Sequence, residues 1–459
     1  MSFLDKINIG INHMLIRLVR SLWGNLSHEE IKKFGILSTI ITLILGNYWM
    51  LRSLKNAVFN DLVGLEYQPF AKMGSLFVVA AIVLVYSKLI DILTKKRLFD
   101  VVCLFFASMF FLIAFSVLYP HYFITGSSVL PIHGNIMGWI CYFTFESSSL
   151  MIVLFWSFVI SVTKPESAKK GYGMIITCTQ IGTILGSTIV AKFSTLWGAP
   201  AIIALGGFAT LLVPMLVRVY IANIPLEIVD TKSTEYKKPK TGFLEGLRII
   251  GTRPYVVGIL IVSTLYEIIG TILEFQMNMI AKDIYPTRDL YASFTGIYGI
   301  SINILALLFA LLGTSFFMRR FGLRFCLLAY PSLVGFVLMF LFAFKSIGYD
   351  SVSLMWALFT SMVLIKGLSY ALNNPTKEVM YIPTTQDIRF KAKSWIESFG
   401  GRTSKGTGAI VTASFAQNLS ALLTYGTVIS LGIVGVWLIA ANLLGKKLNS
   451  LEEKNETIS

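Results

Sequence analysis

Charge is scarce in this sequence. Only 14% of its 459 residues are Asp, Glu, Lys or Arg, against about 25% in ordinary soluble domains. The length would suggest about three soluble domains, but too few charges are present to coat their surfaces. Cysteine is scarcer: Cys103, Cys141, Cys178 and Cys326 lie singly inside apolar runs. A small buried hydrophobe is the expected role there, and no pair has metal-ligand or redox spacing. Of four histidines, His13 and His28 precede the first apolar run, and His121 and His133 share one loop. Neither a metal nor any other cofactor is implied. No apolar core with a small-residue cleavage site follows Met1, so no secretory leader is expected. The stretch from Ile11 to Trp23 mixes apolar residues with Arg17 and Arg20, as an amphipathic helix on a membrane surface does. Asp5, Glu29 and Glu30 argue against an acid-poor organelle presequence.

Hydrophobic residues, by contrast, make up 55% of the chain, and mean hydropathy is +0.72. Roughly 250 apolar residues leave room for about a dozen spans of roughly 20. Twelve apolar windows are readable: 34–54, 70–94, 98–119, 136–162, 171–195, 199–222, 255–280, 291–318, 323–344, 351–373, 394–416 and 421–444. They far exceed the roughly 10 residues of a barrel strand, so helices are expected. The eleventh window is rich in Gly, Ser and Thr and is the weakest, which leaves an eleven-span count open.

Positive charge orients these spans. The N-terminus holds Lys6, Arg17, Arg20, Lys32 and Lys33, and Lys and Arg recur in every second connection thereafter. The longest polar stretch, 223–254, carries Lys232, Lys237, Lys238, Lys240, Arg248 and Arg253. The opposite side holds Arg52, Lys55, Lys282, Arg288 and Lys345 and little else. This asymmetry predicts cytoplasmic termini and accounts for much of the net charge of +15 without a nucleic-acid partner. The expected layout is a cytoplasmic amphipathic N-terminus (1–33), a six-helix half (34–222), a central cytoplasmic loop (223–254), a second six-helix half (255–444) and a cytoplasmic tail (445–459). The predicted fold class is an all-α polytopic membrane protein of about 12 transmembrane helices in two halves, major-facilitator-like. The bilayer is then an obligatory partner, and a monomer suffices.

Ionisable groups inside spans cost about 2.5–3.5 kcal/mol each on insertion scales and usually line a pathway. Lys72, Lys88 and Arg218 lie close enough to span ends to snorkel to headgroups. Glu146, Lys366, Arg402 and Lys405 lie deeper, facing either a cavity or a structural ion-pair partner, and Glu267 and Glu274 lie in span seven. Arg402 and Lys405, three apart, share one helix face. Gly400-Gly401-Arg402-Thr403-Ser404-Lys405-Gly406-Thr407-Gly408 superficially suggests a phosphate loop. Its order is Lys-Gly-Thr with no preceding strand, not the Gly-Lys-Ser/Thr of a P-loop. The excess of in-span cations points to an anionic substrate, with phosphate the obvious class.

At these residues the chain resembles the ATP/ADP translocases, or nucleotide transporters, of obligate intracellular bacteria and plastids, from about Phe34 to Gly408. Asn47-Tyr48-Trp49-Met50-Leu51-Arg52-Ser53-Leu54-Lys55 is similar to that family's first-span motif. Glu146 ahead of Leu154-Phe155-Trp156-Ser157-Phe158, and Glu274 ahead of Tyr285-Pro286, resemble its span-four and span-seven glutamates. The most specific likeness is Lys377-Glu378-Val379-Met380-Tyr381-Ile382-Pro383, extended by Lys366-Gly367, Tyr370 and Gly400-Gly401-Arg402 with Lys405. The resemblance implies exchange of adenine nucleotides, ATP for ADP, by alternating access, without a cofactor and in the inner membrane of an intracellular bacterium. It places the family's four functionally important charges on Lys55, Glu146, Glu274 and Lys377. Phosphate binding is then expected at Lys55, Lys366, Lys377, Arg402 and Lys405, and gating or coupling at Glu146 and Glu274.

The chain also departs from the family. Asn56 replaces an acid, Asn278 and Ile280 replace span-seven lysines, and Ser369 and Asn374 replace a lysine and an aspartate. An exchanger for another nucleotide and a proton-coupled net importer therefore stay open. An enzyme acting on a phosphorylated lipid is the remote alternative, since no nucleophile–base arrangement is readable.

Overall fold

The computed structural model describes residues 27–125, 133–163, 165–224, 243–312, 322–385 and 388–454. The amphipathic stretch before Ser27 and most of the central loop lie outside them. The described residues are helical almost throughout, with a single isolated β-bridge between Thr125 and Asn135.

The N-terminal half comprises α1 (His28–Leu62), α2 (Gln68–Ile92), α3 (Lys95–Leu118), α4 (Ile136–Ser147), α5 (Leu150–Val162) and α6 (Pro165–Asn223). Helix α1 starts at a capping box: Ser27 Oγ accepts from the Glu30 N–H, and the Glu30 carboxylate accepts from the Ser27 N–H. Two amide donors that the helix leaves open are thereby satisfied. Its 35 residues reach about 50 Å at 1.5 Å per residue, well beyond the window 34–54. Helix α6 contains two expected spans, because Gly198 adopts φ 76° and folds the chain back there.

Close helix crossing holds this half together. A Cβ on Gly182 would lie 2.6 Å from the Thr42 carbonyl oxygen, so α1 and α6 approach backbone to backbone. Small residues permit such contacts in a membrane, where no hydrophobic force drives helices together. Asn47 adds polar fixings, its Nδ2 donating to the Gly206 carbonyl at 3.1 Å and to Thr210 Oγ1 at 2.8 Å.

The C-terminal half comprises α7 (Phe243–Thr252), α8 (Pro254–Ile284), α9 (Arg288–Leu312), α10 (Leu323–Ile347), α11 (Ser351–Leu368), α12 (Asn374–Val379), α13 (Gly401–Phe415) and α14 (Leu419–Lys454). Ten described helical segments are long and apolar enough to span a bilayer, with α4 and α5 counting together as one, Ile136–Val162. One of them is α6, which Gly198 divides in two. The eleventh expected window, 394–416, ends in α13, which is too short and polar to qualify by hydropathy. Helix α13 follows π-helical turns at Ser369–Asn373, Ile388–Ala392 and Ile396–Gly400, insertions that recur at functional sites.

The halves meet where α9 packs against α6 and α1, and where α13 packs against α2. Thr295 Oγ1 donates to the Ser53 carbonyl at 2.6 Å, and Ser293 Oγ donates to the Ala191 carbonyl at 2.6 Å. At one end of the bundle polar groups bridge the halves. Arg288 Nη1 lies 3.0 Å from Asp61, and Lys282 Nζ lies 3.3 Å from Glu66. Asp289 accepts there from the Ala199 N–H at 3.0 Å and the Ser194 hydroxyl at 2.9 Å.

Candidate substrate cavity

Between the halves lies a cavity. Helical spacing brings its polar lining together. On α1, Tyr48, Arg52, Lys55 and Asn56 share one face at intervals of three and four residues, and on α8 Glu267, Thr271, Glu274 and Asn278 do the same. Helix α2 contributes Lys72, α4 contributes Tyr142 and Glu146, α11 contributes Lys366 and α13 contributes Lys405.

Every acid in this lining has a cationic partner. Lys55 Nζ stands 2.5 Å from Glu146 Oε2, Lys366 Nζ stands 3.0 Å from Glu274 Oε2, and Lys405 Nζ stands 3.7 Å from Glu267 Oε2. Aromatic rings support three cations: Lys55 over Tyr142 at 4.5 Å, Lys366 over Tyr298 at 5.2 Å and Arg52 over Trp49 at 4.9 Å. A ring face attracts a cation that has given up part of its hydration. Arg52 and Lys72 have no carboxylate within ion-pair distance among the described residues. A charge held inside the bundle without a carboxylate partner is costly, and an anion in the cavity would offset that cost.

Of the seven residues singled out in the sequence, the structure gathers five here: Lys55, Glu146, Glu274, Lys366 and Lys405. Lys377 and Arg402 stand outside this lining. Lys377 Nζ donates to the Ser263 carbonyl of α8 at 2.7 Å, and Arg402 is exposed one turn before Lys405.

Three cations are corrected. Arg52 and Lys55, counted above with the far-side connections, lie about three and two turns inside α1, because that helix continues to Leu62. Lys72, expected to snorkel, turns into the bundle from the first turns of α2. A face signal for Arg52 was present in its spacing of three from Lys55. Lys88 is exposed, and Arg218 reaches Asp100 at 2.8 Å. Among the three positions where a family lysine is replaced, Asn278 lines the cavity, whereas Ile280 and Ser369 are buried outside its lining.

A family model described as TLC ATP/ADP transporter matches residues 11–448. ADP,ATP carrier protein 1 of Rickettsia typhi is 28% identical over 96% of this chain and 98% of that carrier. ADP,ATP carrier protein 5 of Rickettsia prowazekii is 24% identical over 85% of this chain and 88% of its own. Among solved structures, a bacterial homologue of the iron transporter ferroportin in the inward-facing state superposes with a TM-score of 0.61. It shares 13% identity and covers 92% of this chain and 100% of that one. The nucleoside transporter NupG gives 0.60 at 16% identity, covering 91% and 99%. Both carry the fold expected from the span pattern.

Proposed function

The chain belongs to the TLC ATP/ADP transporter family, and from that premise we propose how its geometry carries nucleotides. It is a multi-pass membrane transporter, not an enzyme, and it exchanges ATP for ADP. The observation supporting a site for the exchange is the cavity between the halves, with five cations against three acids.

Lys55, Lys366 and Lys405 bind phosphate, with lysine acting as a compact point charge. When the cavity is empty, Glu146 and Glu274 hold Lys55 and Lys366 in ion pairs; an arriving phosphate competes for the same ammonium groups. Glu146 and Glu274 are thus the coupling residues. Lys377 and Arg402 serve the approach to the cavity, each standing further toward the Lys- and Arg-rich side than Lys366 or Lys405. The positive-inside rule places that side, and both termini, in the cytoplasm. The end closed by Arg288, Asp61, Lys282 and Glu66 then faces outward, and nucleotide reaches the cavity from the cytoplasm. Opening outward requires those rim contacts to part as the halves rock. The membrane is the inner membrane of an intracellular bacterium. Exchange of ATP for ADP moves about one net charge, so membrane potential biases direction by about 2.3 kcal/mol per 100 mV.

The decisive experiment is uptake of labelled ATP into proteoliposomes containing the purified protein. Uptake is expected to require internal ADP or ATP. Uptake into empty vesicles driven by a pH gradient would establish proton-coupled import, and no uptake of any adenine nucleotide would overturn the substrate.

A further inference from the structure

The charges of the cavity are divided unequally between the two halves. On the C-terminal half Lys366 and Lys405 are matched by Glu274 and Glu267, one to one. On the N-terminal half Lys55 is matched by Glu146, whereas Arg52 and Lys72 line the cavity with no carboxylate at ion-pair distance among the described residues. The whole surplus of positive charge therefore belongs to α1 and α2. We infer that Arg52 and Lys72 form a standing anion subsite on the N-terminal half, which takes a phosphate dianion before any lysine–glutamate pair has to open.

The chemistry of the two groups suits this role. Arg52 is the lone guanidinium in the lining and rests against the Trp49 ring at 4.9 Å, which pre-orients its planar fork. A guanidinium held in this way donates two parallel hydrogen bonds to a phosphate, and an ammonium adds a movable point charge. A phosphate that engages them neutralises charge outside the ion pairs without breaking one. A phosphate that engages Lys55 or Lys366 first must displace a carboxylate 2.5 or 3.0 Å away. The order of engagement follows: Arg52 and Lys72, then the paired lysines. The inference rests on reading the cavity as the nucleotide site, and it adds which half holds the phosphates.

The test uses the purified full chain and inorganic pyrophosphate as probe. Arg52→Gln and Lys72→Gln are each expected to weaken pyrophosphate binding, measured by calorimetry, by roughly tenfold or more. Lys405→Gln, on the balanced half, should weaken it by less than either. Because neither cation is held in an ion pair among the described residues, their removal should lower the apo melting temperature less than removal of Lys55 or Lys366 does. The rise in melting temperature that pyrophosphate induces should disappear. An apo melting temperature lowered as much as by loss of Lys55 or Lys366, with the pyrophosphate-induced rise intact, would overturn the inference, since it would make Arg52 and Lys72 structural. So would unchanged binding in the double variant. If that variant does not fold, Arg52→Lys serves: it keeps the charge but loses the fork, and wild-type affinity would refute the clamp. Nucleotide exchange by the wild-type protein is scored separately. Its absence alongside Arg52-dependent pyrophosphate binding would refute the transport reading and leave the subsite standing.

Discussion

Replacing Glu146 with Gln removes one partner of the Lys55 pair and keeps side-chain volume. Breaking a fully buried pair from one side typically costs 3–5 kcal/mol. Here the figure must be smaller. The Lys55 side chain is 12% exposed and that of Glu146 is 36% exposed, so water in the cavity hydrates the ammonium once the carboxylate is gone. The Tyr142 ring 4.5 Å away retains about 0.5–2 kcal/mol of cation–π attraction. A net loss of about 1–2 kcal/mol remains, a modest fall in melting temperature for a protein of this size. The same substitution frees Lys55 from its competitor and raises the cavity surplus by one charge. ADP should therefore bind more tightly, about 5- to 30-fold if the same 1–2 kcal/mol is recovered, and be released more slowly. Calorimetry on the purified variant gives the affinity, and counterflow into ADP-loaded proteoliposomes gives the rate. Tighter binding with slower exchange is the expected combination. Weaker ADP binding by a folded Glu146→Gln protein would refute the idea that this carboxylate competes with phosphate.

Three further outcomes follow from the geometry. Lys377→Ala should cost about 1–2 kcal/mol of stability through its lost bond to the Ser263 carbonyl. It should slow exchange while leaving ADP affinity within about twofold; a large loss of affinity in calorimetry would bring Lys377 into the phosphate site. Asn278→Lys adds a cation to the lining and should raise the preference for triphosphate over diphosphate by roughly tenfold, measured by competition; an unchanged ratio would show that this position does not meet phosphate. Arg288→Ala removes the contact with Asp61 and should shift the population toward the outward-open state, read as faster labelling of a cysteine placed at Asn56 from outside. No change in labelling would show that the rim contact does not hold the halves.

Much of the fold was legible because the bilayer imposes it: apolar runs long enough to cross must be helices whose backbone bonds are satisfied internally. Even the weakness of the eleventh window was visible, since its Gly, Ser and Thr content is what leaves α13 short and polar. Orientation of side chains was less legible. Hydropathy windows locate span ends only to within several residues, so Arg52, near the end of the window 34–54, was counted with the far side although its helix continues to Leu62. They do not say which way a helix is turned, so Lys72 seemed free to reach headgroups. The pairing of Lys55 with Glu146, 91 residues apart, depends on how α1 and α4 pack and has no local signal. The resemblance identified both as important; the packing of helices made them neighbours. Glu267 was readable as an acid within a span, but its partner Lys405 became evident only in the folded chain.

Each lysine–glutamate pair in the cavity joins helices of the same half: α1 with α4, α8 with α11, and α8 with α13. A rocking motion between the halves can therefore leave all three pairs unbroken. The polar contacts that do cross between the halves are others: Thr295 with the Ser53 carbonyl, Ser293 with the Ala191 carbonyl, and at the rim Arg288 with Asp61, Lys282 with Glu66 and Asp289 with Ser194 and the Ala199 amide. Under the proposed mechanism, how tightly the carrier grips its cargo and how fast it turns over are then set by different side chains. Selection can quicken or slow one such protein by editing a few surface charges, without retuning the site that recognises what it carries.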